Sequence, residues 1–150
     1  MRRNKKPNSN KLRVDKKFQP LDIDDGDEFY PNGFFEFNIT KLLAFIKANP
    51  DIFQPEGVLV KTARTFPSSN LNESTIQSAN IAEPIILAEV APDRFNVIDG
   101  NHRLEKAYRD GVSTVLAYKV HPEQHTAFLT SKESYDDYVE YWNSKIAEIG

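Results

Sequence analysis

The chain of 150 residues contains no cysteine, and this absence removes several classes of chemistry. Disulfide bonds, thiolate catalysis and cysteine-ligated zinc or iron–sulfur centres are excluded, because each of them needs a sulfhydryl group. The chain also lacks an apolar run long enough to span a membrane. The basic residues at its start are not followed by the apolar core of a secretory signal. We therefore expect a cytoplasmic protein with no membrane partner.

Positive charge is scarce beyond the first residues of the chain. Residues 1–17 hold eight of the 19 lysines and arginines and a single acid, Asp15. Residues 18–150 therefore carry a net charge of −10, although the whole chain carries only −3. Because residues 1–17 are also rich in asparagine, serine and proline, we predict a disordered basic tail there. It is interpreted as an arm for nucleic acid, as a solubilising leader, or as an arm lying on the protein's own acidic body.

Residues 18–150 are expected to form a single domain that mixes strands with helices. Four apolar runs predict strands, and the second and third are close enough for a hairpin: 58–60, 83–90, 95–98 and 112–120. Helices are predicted after Thr40 and after Asn101, each of which can cap a helix N-terminus. The prediction is an α+β fold, with a small mixed β-sheet flanked by helices and a C-terminal amphipathic helix whose apolar stripe is Tyr135, Tyr138, Val139, Trp142 and Ile146.

Weaker signals lie outside these elements. The acidic segment 22–28 lacks the twelve-residue spacing of an EF-hand, so a solvated loop is favoured over a looser metal site. The polar segment 61–75 is either a functional lid or an ordinary surface loop. The aromatic residues between Phe29 and Phe37 are interpreted as core or lid residues. His121 and His125 are interpreted as surface residues.

The stretch VIDGNHRLEKA, residues 97–107, contains the strongest functional signal in the chain. A helix N-terminus presents unpaired N–H groups and the positive end of the helix dipole, so it attracts anions. Gly100 permits close approach of the backbone, while Arg103 and His102 supply donors for phosphate oxygens. Asp99 can hold magnesium or accept a proton from a hydroxyl group. The pattern predicts a phosphate site, against the alternative of a structural turn in which Asp99 caps Arg103.

The same residues carry a resemblance to a known family. The pattern PIIL…VIDGNHRLEKAYRDG…VLAYKV, over residues 83–120, resembles the ParB/sulfiredoxin superfamily. Sulfiredoxins have a nucleophilic cysteine where this chain has Asn101, so repair of sulfinic acids is excluded. Partition proteins of the ParB type carry Gly-Glu-Arg-Arg and a downstream helix-turn-helix domain. Here the motif is Gly-Asn-His-Arg and only 30 residues follow the last of the matching strands, so a partition clamp is not expected. Free-serine kinases and ParB-like nucleases carry an Asp-Gly-x-His-Arg motif that is similar to residues 99–103.

The resemblance implies a domain that binds a nucleotide (ATP, ADP or CTP) together with Mg²⁺. It implies that the backbone of Gly100 and Asn101, with His102 and Arg103, holds the phosphates. Pro84 and Ile85 would lie alongside the nucleotide. The kinase branch implies transfer of phosphate to a small hydroxyl compound, with Asp99 on the metal or the hydroxyl and His102 as a further catalytic residue. A second carboxylate would act as base, for which the candidates are Glu73, Glu83 and Glu105, with Glu73 favoured because it lies in the predicted lid.

Two other hypotheses remain open. The first is a DNA-associated ParB-like nuclease, or a non-catalytic nucleic-acid-binding protein of a plasmid or phage system, which contacts the backbone through residues 1–17. The second is a module that binds a nucleotide without turnover. On the leading hypothesis, Arg103→Ala abolishes phosphate binding and leaves the fold intact.

Overall fold

The computed structural model of the chain describes residues 11–33 and 35–149. It confirms the predicted α+β class, with one β-sheet of two strands and another of four. The smaller sheet pairs β1 (Phe29–Asn32) with β2 (Phe35–Asn38) in antiparallel register. The larger sheet has the order β3-β6-β4-β5 and consists of β3 (Glu56–Leu59), β4 (Ile85–Ala91), β5 (Arg94–Asp99) and β6 (Thr114–Val120).

The larger sheet is mixed, as predicted. Strands β4 and β6 run parallel, whereas β4 and β5, and also β3 and β6, run antiparallel. The predicted hairpin is therefore present as β4 and β5, and its turn passes through Asp93 with a φ of 60°. Because β5 follows β4 so closely, Asp99 at the end of β5 is the Cα partner of Ile86 near the start of β4.

Helices surround both sheets. Their bounds are α1 (Ile39–Ala48), α2 (Val60–Ala63), α3 (Glu73–Ser78), α4 (Asn101–Arg109), α5 (Pro122–His125) and α6 (Lys132–Ile149), with short 3-10 turns at Ser68–Asn70 and Thr126–Phe128. The C-terminal amphipathic helix is confirmed as α6, and all five residues of its predicted stripe are buried. No helix of the described residues is long and apolar enough to cross a membrane.

Strand β4 lies at the centre of the core, and all seven of its residues are buried. Ile86, Ala88 and Val90 belong to a cluster that includes apolar residues of α1 and α6. Ile85 and Leu87 belong to a second cluster with Leu104 and Ala107 of α4. Since side chains alternate along a strand, a continuous apolar run serves a strand that is covered on both faces. Helix α4 is thus packed onto the sheet, close to the point where β5 ends and α4 begins.

Local boundaries differ from the sequence prediction at two helices. Asn38, not Thr40, caps α1, because its side chain accepts a hydrogen bond from the Lys41 N–H. The Thr40 hydroxyl accepts a hydrogen bond from the Glu28 N–H instead. Val60 begins α2 and does not continue the preceding strand. The cap at Asn38 depends on a local side-chain hydrogen bond that apolar periodicity does not register, whereas α2 begins without a side-chain cap.

Part of the predicted basic tail packs on the domain, while residues 1–10 lie outside the described residues. The Leu12 N–H donates to Asn143 Oδ1 at 2.8 Å, and the Leu12 carbonyl accepts from Asn143 Nδ2 at 2.9 Å. The ring of Phe18 stacks on Tyr135 of α6, with 4.2 Å between centroids. Residues 11–18 therefore lie along α6 and do not extend free of it. Leu12 and Phe18 supply the apolar anchors, which the basic composition of the tail obscured.

Candidate functional site

The candidate site is the corner where β5 ends at Asp99 and α4 begins at Asn101. Gly100 occupies this corner with a φ of +113°, a left-handed conformation that suits glycine. A Cβ atom at this position would lie 2.3 Å from Ile85 Cγ2 and 2.7 Å from Ile85 Cβ. Ile85 is fully buried, so it has little room to move away. Glycine is therefore required at residue 100 both by conformation and by space.

The N-terminus of α4 has no side-chain cap. Gly100 is the N-cap residue, and Asn101 stands inside the first turn; the prediction that Asn101 caps the helix is therefore wrong. The Leu104 N–H donates to the Gly100 carbonyl at 2.9 Å. The N–H groups of residues 101, 102 and 103 meet no acceptor among the described residues. These three donors, together with the helix dipole, form the most favourable position for an anion at the corner.

Arg103 is engaged by the protein itself. Its Nη1 lies 2.6 Å from the Pro84 carbonyl and 3.4 Å from the Glu83 carbonyl. Its Nη2 donates to Asp99 Oδ2 at 3.1 Å, and its side chain is only 18% exposed. The contact between Asp99 and Arg103 is the one that the structural-turn alternative requires. Nε–H and one N–H of Nη2 meet no acceptor among the described residues, so the guanidinium still has donors for a ligand.

His102 connects the corner to the predicted lid. Its Nε2 accepts a hydrogen bond from the Asn72 N–H at 3.2 Å. Because Nε2 is an acceptor here, the ring carries its proton on Nδ1, which is then a donor. The segment 61–75 is not an unstructured loop, since it includes α2, a 3-10 turn and the start of α3. His102 thus holds the end of this segment close to the N-terminus of α4.

A cleft of about 500 Å³ opens at the corner. Its size falls in the range of small-molecule sites. Its lining combines residues of the corner, of β1 with the residue before it, and of the segment before α3: Glu28, Phe29, Tyr30, Ile39, Phe66, Asn70, Leu71, Ile98, Asp99, Gly100, Asn101 and His102. The sequence pointed to its corner residues and did not identify Glu28, Phe66 or Asn70. Those three follow no spacing rule, because distant segments bring them together.

The three candidate bases do not line this cleft. Glu73 lies 2.8 Å from Arg109 Nη1, and the guanidinium lowers the pKa of that carboxyl group. Glu105 is 3% exposed and bonds to Arg64 Nε at 2.7 Å and Arg109 Nε at 2.9 Å. The hydrogen bond from Arg64 is the main cause of its lowered pKa. Glu83 has its carboxylate 3.8 Å from Lys47. Each of these three carboxylates therefore forms an ion pair outside the cleft.

Pro84 and Ile85, which were expected alongside the nucleotide, instead contact residues of the corner. Pro84 accepts the hydrogen bond from Arg103, and Ile85 packs under Gly100. Neither of them contributes to the lining of the cleft. The structure therefore brings Asp99, Gly100, Asn101 and His102 together on the cleft, and Arg103 beside them.

Whether the corner could hold a magnesium ion depends on the oxygen ligands that a bound nucleotide would supply. No group of three or more histidine, aspartate or glutamate side chains in the described residues could hold a metal ion. Asp99 uses Oδ2 for Arg103, whereas its Oδ1 meets no donor among the described residues. Magnesium is commonly held by one or two carboxylates together with phosphate oxygens and water. The residues therefore fit an ion that arrives with a nucleotide, and Asp99 is the carboxylate at the corner that would contribute to its coordination.

A second region confirms the surface placement of His121 and corrects that of His125. His125 is fully buried, and its Nε2 lies 2.9 Å from the Glu89 carbonyl. Burial lowers the pKa of His125 to about 4. His121 is partly exposed, and its Nδ1 lies 2.7 Å from Glu89 Oε1. Surface placement was therefore wrong for His125, because local sequence does not reveal that α5 packs against β4.

Comparisons of the chain with protein-family models, with curated proteins and with solved structures find no match in any of the three. The geometry of the corner and its cleft is thus the basis for assigning a function.

Proposed function

We propose that this protein is a ParB/sulfiredoxin-like domain that binds a nucleotide, with the phosphates held at the N-terminus of α4. The observation that carries the proposal is that the N–H groups of residues 101, 102 and 103 meet no acceptor among the described residues, and that Asn101 and His102 line the cleft of about 500 Å³. Backbone N–H groups at a helix N-terminus are a common means of binding phosphate. The absence of a side-chain cap leaves these donors available to a ligand.

The side chains at the corner extend this anion site. His102 contributes the N–H of Nδ1, since its Nε2 is occupied by the Asn72 N–H. Arg103 contributes its remaining donors and a permanent positive charge. Asp99 would hold Mg²⁺ through Oδ1 when the ion arrives with ATP, ADP or CTP. That ion would neutralise part of the phosphate charge.

Binding is better supported than transfer of phosphate. Transfer to a hydroxyl compound needs a carboxylate that accepts the proton, and the expected bases Glu73, Glu83 and Glu105 do not line the cleft, whose carboxylates are Glu28 and Asp99. Glu73 and Glu105 are also held by arginines. The proposed function is therefore nucleotide binding, and no reaction is assigned. An assay for ATP consumption in the presence of small alcohols would test for phosphate transfer.

The test uses a substitution that opposes anions without weakening the helix. Asn101→Asp places a carboxylate in the first turn of α4, where it repels phosphate but interacts favourably with the helix dipole. Ser144→Asp adds the same charge on an exposed position of α6 and is the control. We expect ATP, ADP, CTP or pyrophosphate with magnesium to raise the melting temperature of the wild type and of Ser144→Asp, but not of Asn101→Asp. A ligand at about 100 times its Kd stabilises by about 2.7 kcal/mol. An equal shift in Asn101→Asp, or no shift with any of these ligands, would overturn the proposal.

A second function is favoured by a separate observation. Lys11, Arg13, Lys16 and Lys17 are exposed and form no ion pair among the described residues. We propose that they contact the backbone of DNA or RNA, an interaction that weakens steeply with salt. Lys16→Glu with Lys17→Glu should reduce both the affinity for duplex DNA and its dependence on salt, and should leave nucleotide binding intact. Unchanged DNA affinity in this variant would exclude that role.

A further inference from the structure

Three aromatic rings that contact no other ring and no cation among the described residues line the cleft beside the corner. Phe29 and Tyr30 of β1 line it, together with Phe66 from the segment between α2 and α3. Phe29 is 37% exposed, and Tyr30 and Phe66 are half-buried. All three rings therefore retain surface that the protein does not cover. Aromatic surface that is left open in a concave site is a common means of binding flat ligands.

Aromatic rings elsewhere in the described residues differ in their contacts. Most of them contact another ring or a cation, as Phe18 does with Tyr135 and as Tyr108 does with Arg64. The described rings that make neither kind of contact are Phe29, Tyr30, Phe66 and Tyr118. Three of these four line the same cleft. Unpartnered rings are thus concentrated at one place, next to the N-terminus of α4.

The polar groups of the cleft define what the flat ligand should carry at its edge. Glu28 lines the cleft, and its carboxylate makes no hydrogen bond or ion pair among the described residues. Asn101 donates from Nδ2 to the Tyr30 hydroxyl at 3.4 Å, which leaves its Oδ1 as an acceptor. Among the described residues, no lysine or arginine lines the cleft. Carboxylate and amide oxygens favour a ring that carries an amino group.

We infer that Phe29, Tyr30 and Phe66 form a subsite for an amino-bearing nucleobase such as adenine or cytosine. The inference rests on the proposed function for the position of the phosphates, since a nucleotide carries its base and its phosphates on one sugar. Stacking on the aromatic rings supplies affinity and tolerates different bases. Glu28 supplies selectivity, because it accepts a hydrogen bond from the amino group and repels a keto oxygen in its place.

The experiment separates the base from the phosphates by using each alone. Isothermal titration calorimetry measures adenosine, inosine and pyrophosphate binding to the wild type, Phe66→Ala, Glu28→Gln and Asn101→Asp. Tyr118→Ala is the matched control, because it removes an unpartnered ring that lies outside this cleft. We expect Phe66→Ala to weaken adenosine binding roughly 5- to 150-fold, the range for loss of one stacking ring. Pyrophosphate binding to Phe66→Ala should not change, and Tyr118→Ala should bind both ligands as the wild type does.

A comparison of adenosine with inosine tests the selectivity of the subsite. Adenosine has an amino group where inosine has a keto oxygen, so the wild type should prefer adenosine by roughly tenfold, the value of one hydrogen bond to a charged group. Glu28→Gln should reduce that preference, because an amide can turn its N–H₂ group toward the keto oxygen. Equal affinity for the two nucleosides in the wild type would overturn the role of Glu28.

The outcomes for the two proposals are distinguishable. Adenosine binding that depends on Phe66, together with no binding of pyrophosphate, would support the base subsite and overturn the phosphate site. Pyrophosphate binding that is lost in Asn101→Asp, together with no binding of adenosine, would do the reverse. Adenosine binding that is equal in the wild type and Phe66→Ala would overturn the subsite.

Discussion

Arg103 Nη1 lies 2.6 Å from the carbonyl oxygen of Pro84, a residue that stands 19 positions earlier in the chain. This contact ties α4 to the residue that leads into β4, and the contact of Nη2 with Asp99 ties it to the end of β5. The guanidinium therefore connects the elements that meet at the corner. Arg103 therefore stabilises the fold in addition to any contribution to ligand binding.

This geometry changes what is expected of Arg103→Ala. The fold was predicted to tolerate the substitution, but loss of a charged hydrogen bond to a carbonyl costs about 2 kcal/mol. We expect a decrease of that size in the free energy of unfolding, measured by urea denaturation. Arg103→Lys keeps the charge and one donor, so its decrease should be smaller. Denaturation midpoints that equal the wild-type value in both variants would contradict the structural role.

Gly100→Ala is expected to be the most damaging single substitution at the corner. The new Cβ would lie 2.3 Å from Ile85 Cγ2, and the residue would also be held at a φ of +113°. Overpacking and left-handed strain together should cost about 3 kcal/mol or more. Gly111→Ala is the control, because its φ is +74° and no atom lies within 4 Å of the added Cβ. Thermal unfolding should show the larger loss at residue 100, and similar losses at both positions would argue against the steric account.

Glu105 is the buried centre of an ion-pair group with Arg64 and Arg109. Glu105→Gln leaves Arg64 without a carboxylate and Arg109 with Glu73 alone, so we expect a loss of about 3 kcal/mol at neutral pH. Because the pKa of Glu105 is lowered in the folded state, its contribution is present above its ordinary value of 4.5 and is lost as the pH falls through the folded pKa. The difference between the wild type and the variant should thus shrink below pH 4.5. Glu148→Gln, which alters an exposed pair with Lys145, should change stability little at any pH.

His125 should make the protein sensitive to mild acid. Its pKa is lowered from 6.5 to about 4 by burial, so between these values the unfolded chain binds a proton that the folded chain does not. Stability should be complete above pH 6.5 and should fall by about 3 kcal/mol as the pH drops to 4. His125→Phe keeps a ring against Phe37 and Tyr138 and removes this titration. Urea denaturation at a series of pH values should show a flatter profile for the variant between pH 6.5 and 5, whereas parallel profiles would refute the assignment.

Regular elements were the most predictable part of the fold. The hairpin of β4 and β5, helix α4 and helix α6 each follow from apolar periodicity and turn residues within the element itself. The corner at Asp99 and Gly100 was equally visible, because a strand that meets Asp-Gly and then an amphipathic helix is a local pattern. The helix cap at Asn38 was not predicted, since neighbouring side chains compete for that position, and the start of α2 at Val60, which has no side-chain cap, was not predicted either.

Contacts between distant residues account for what sequence reasoning missed. The Leu12 backbone meets the Asn143 side chain across 131 positions of the chain, so no local pattern could reveal that residues 11–18 pack on α6. The burial of His125 depends on β4, and the pairing of Glu73 with Arg109 depends on the contact between α3 and α4. The aromatic residues between Phe29 and Phe37 were expected in the core or a lid, but only the fold brings Phe29 and Tyr30 to the same cleft as Phe66.

The sequence by itself determined the excluded chemistries, the α+β class and the strand-to-helix corner at residues 99–103. These follow from composition and from patterns that span a few residues, where local conformational preferences are decisive. Only the tertiary structure decided that Arg103 supports the corner, that the candidate acids belong to ion pairs, and that a cleft with unpartnered rings opens beside α4. Those features depend on which surfaces of distant elements pack together, because burial and pairing are set by three-dimensional contacts and not by neighbours along the chain.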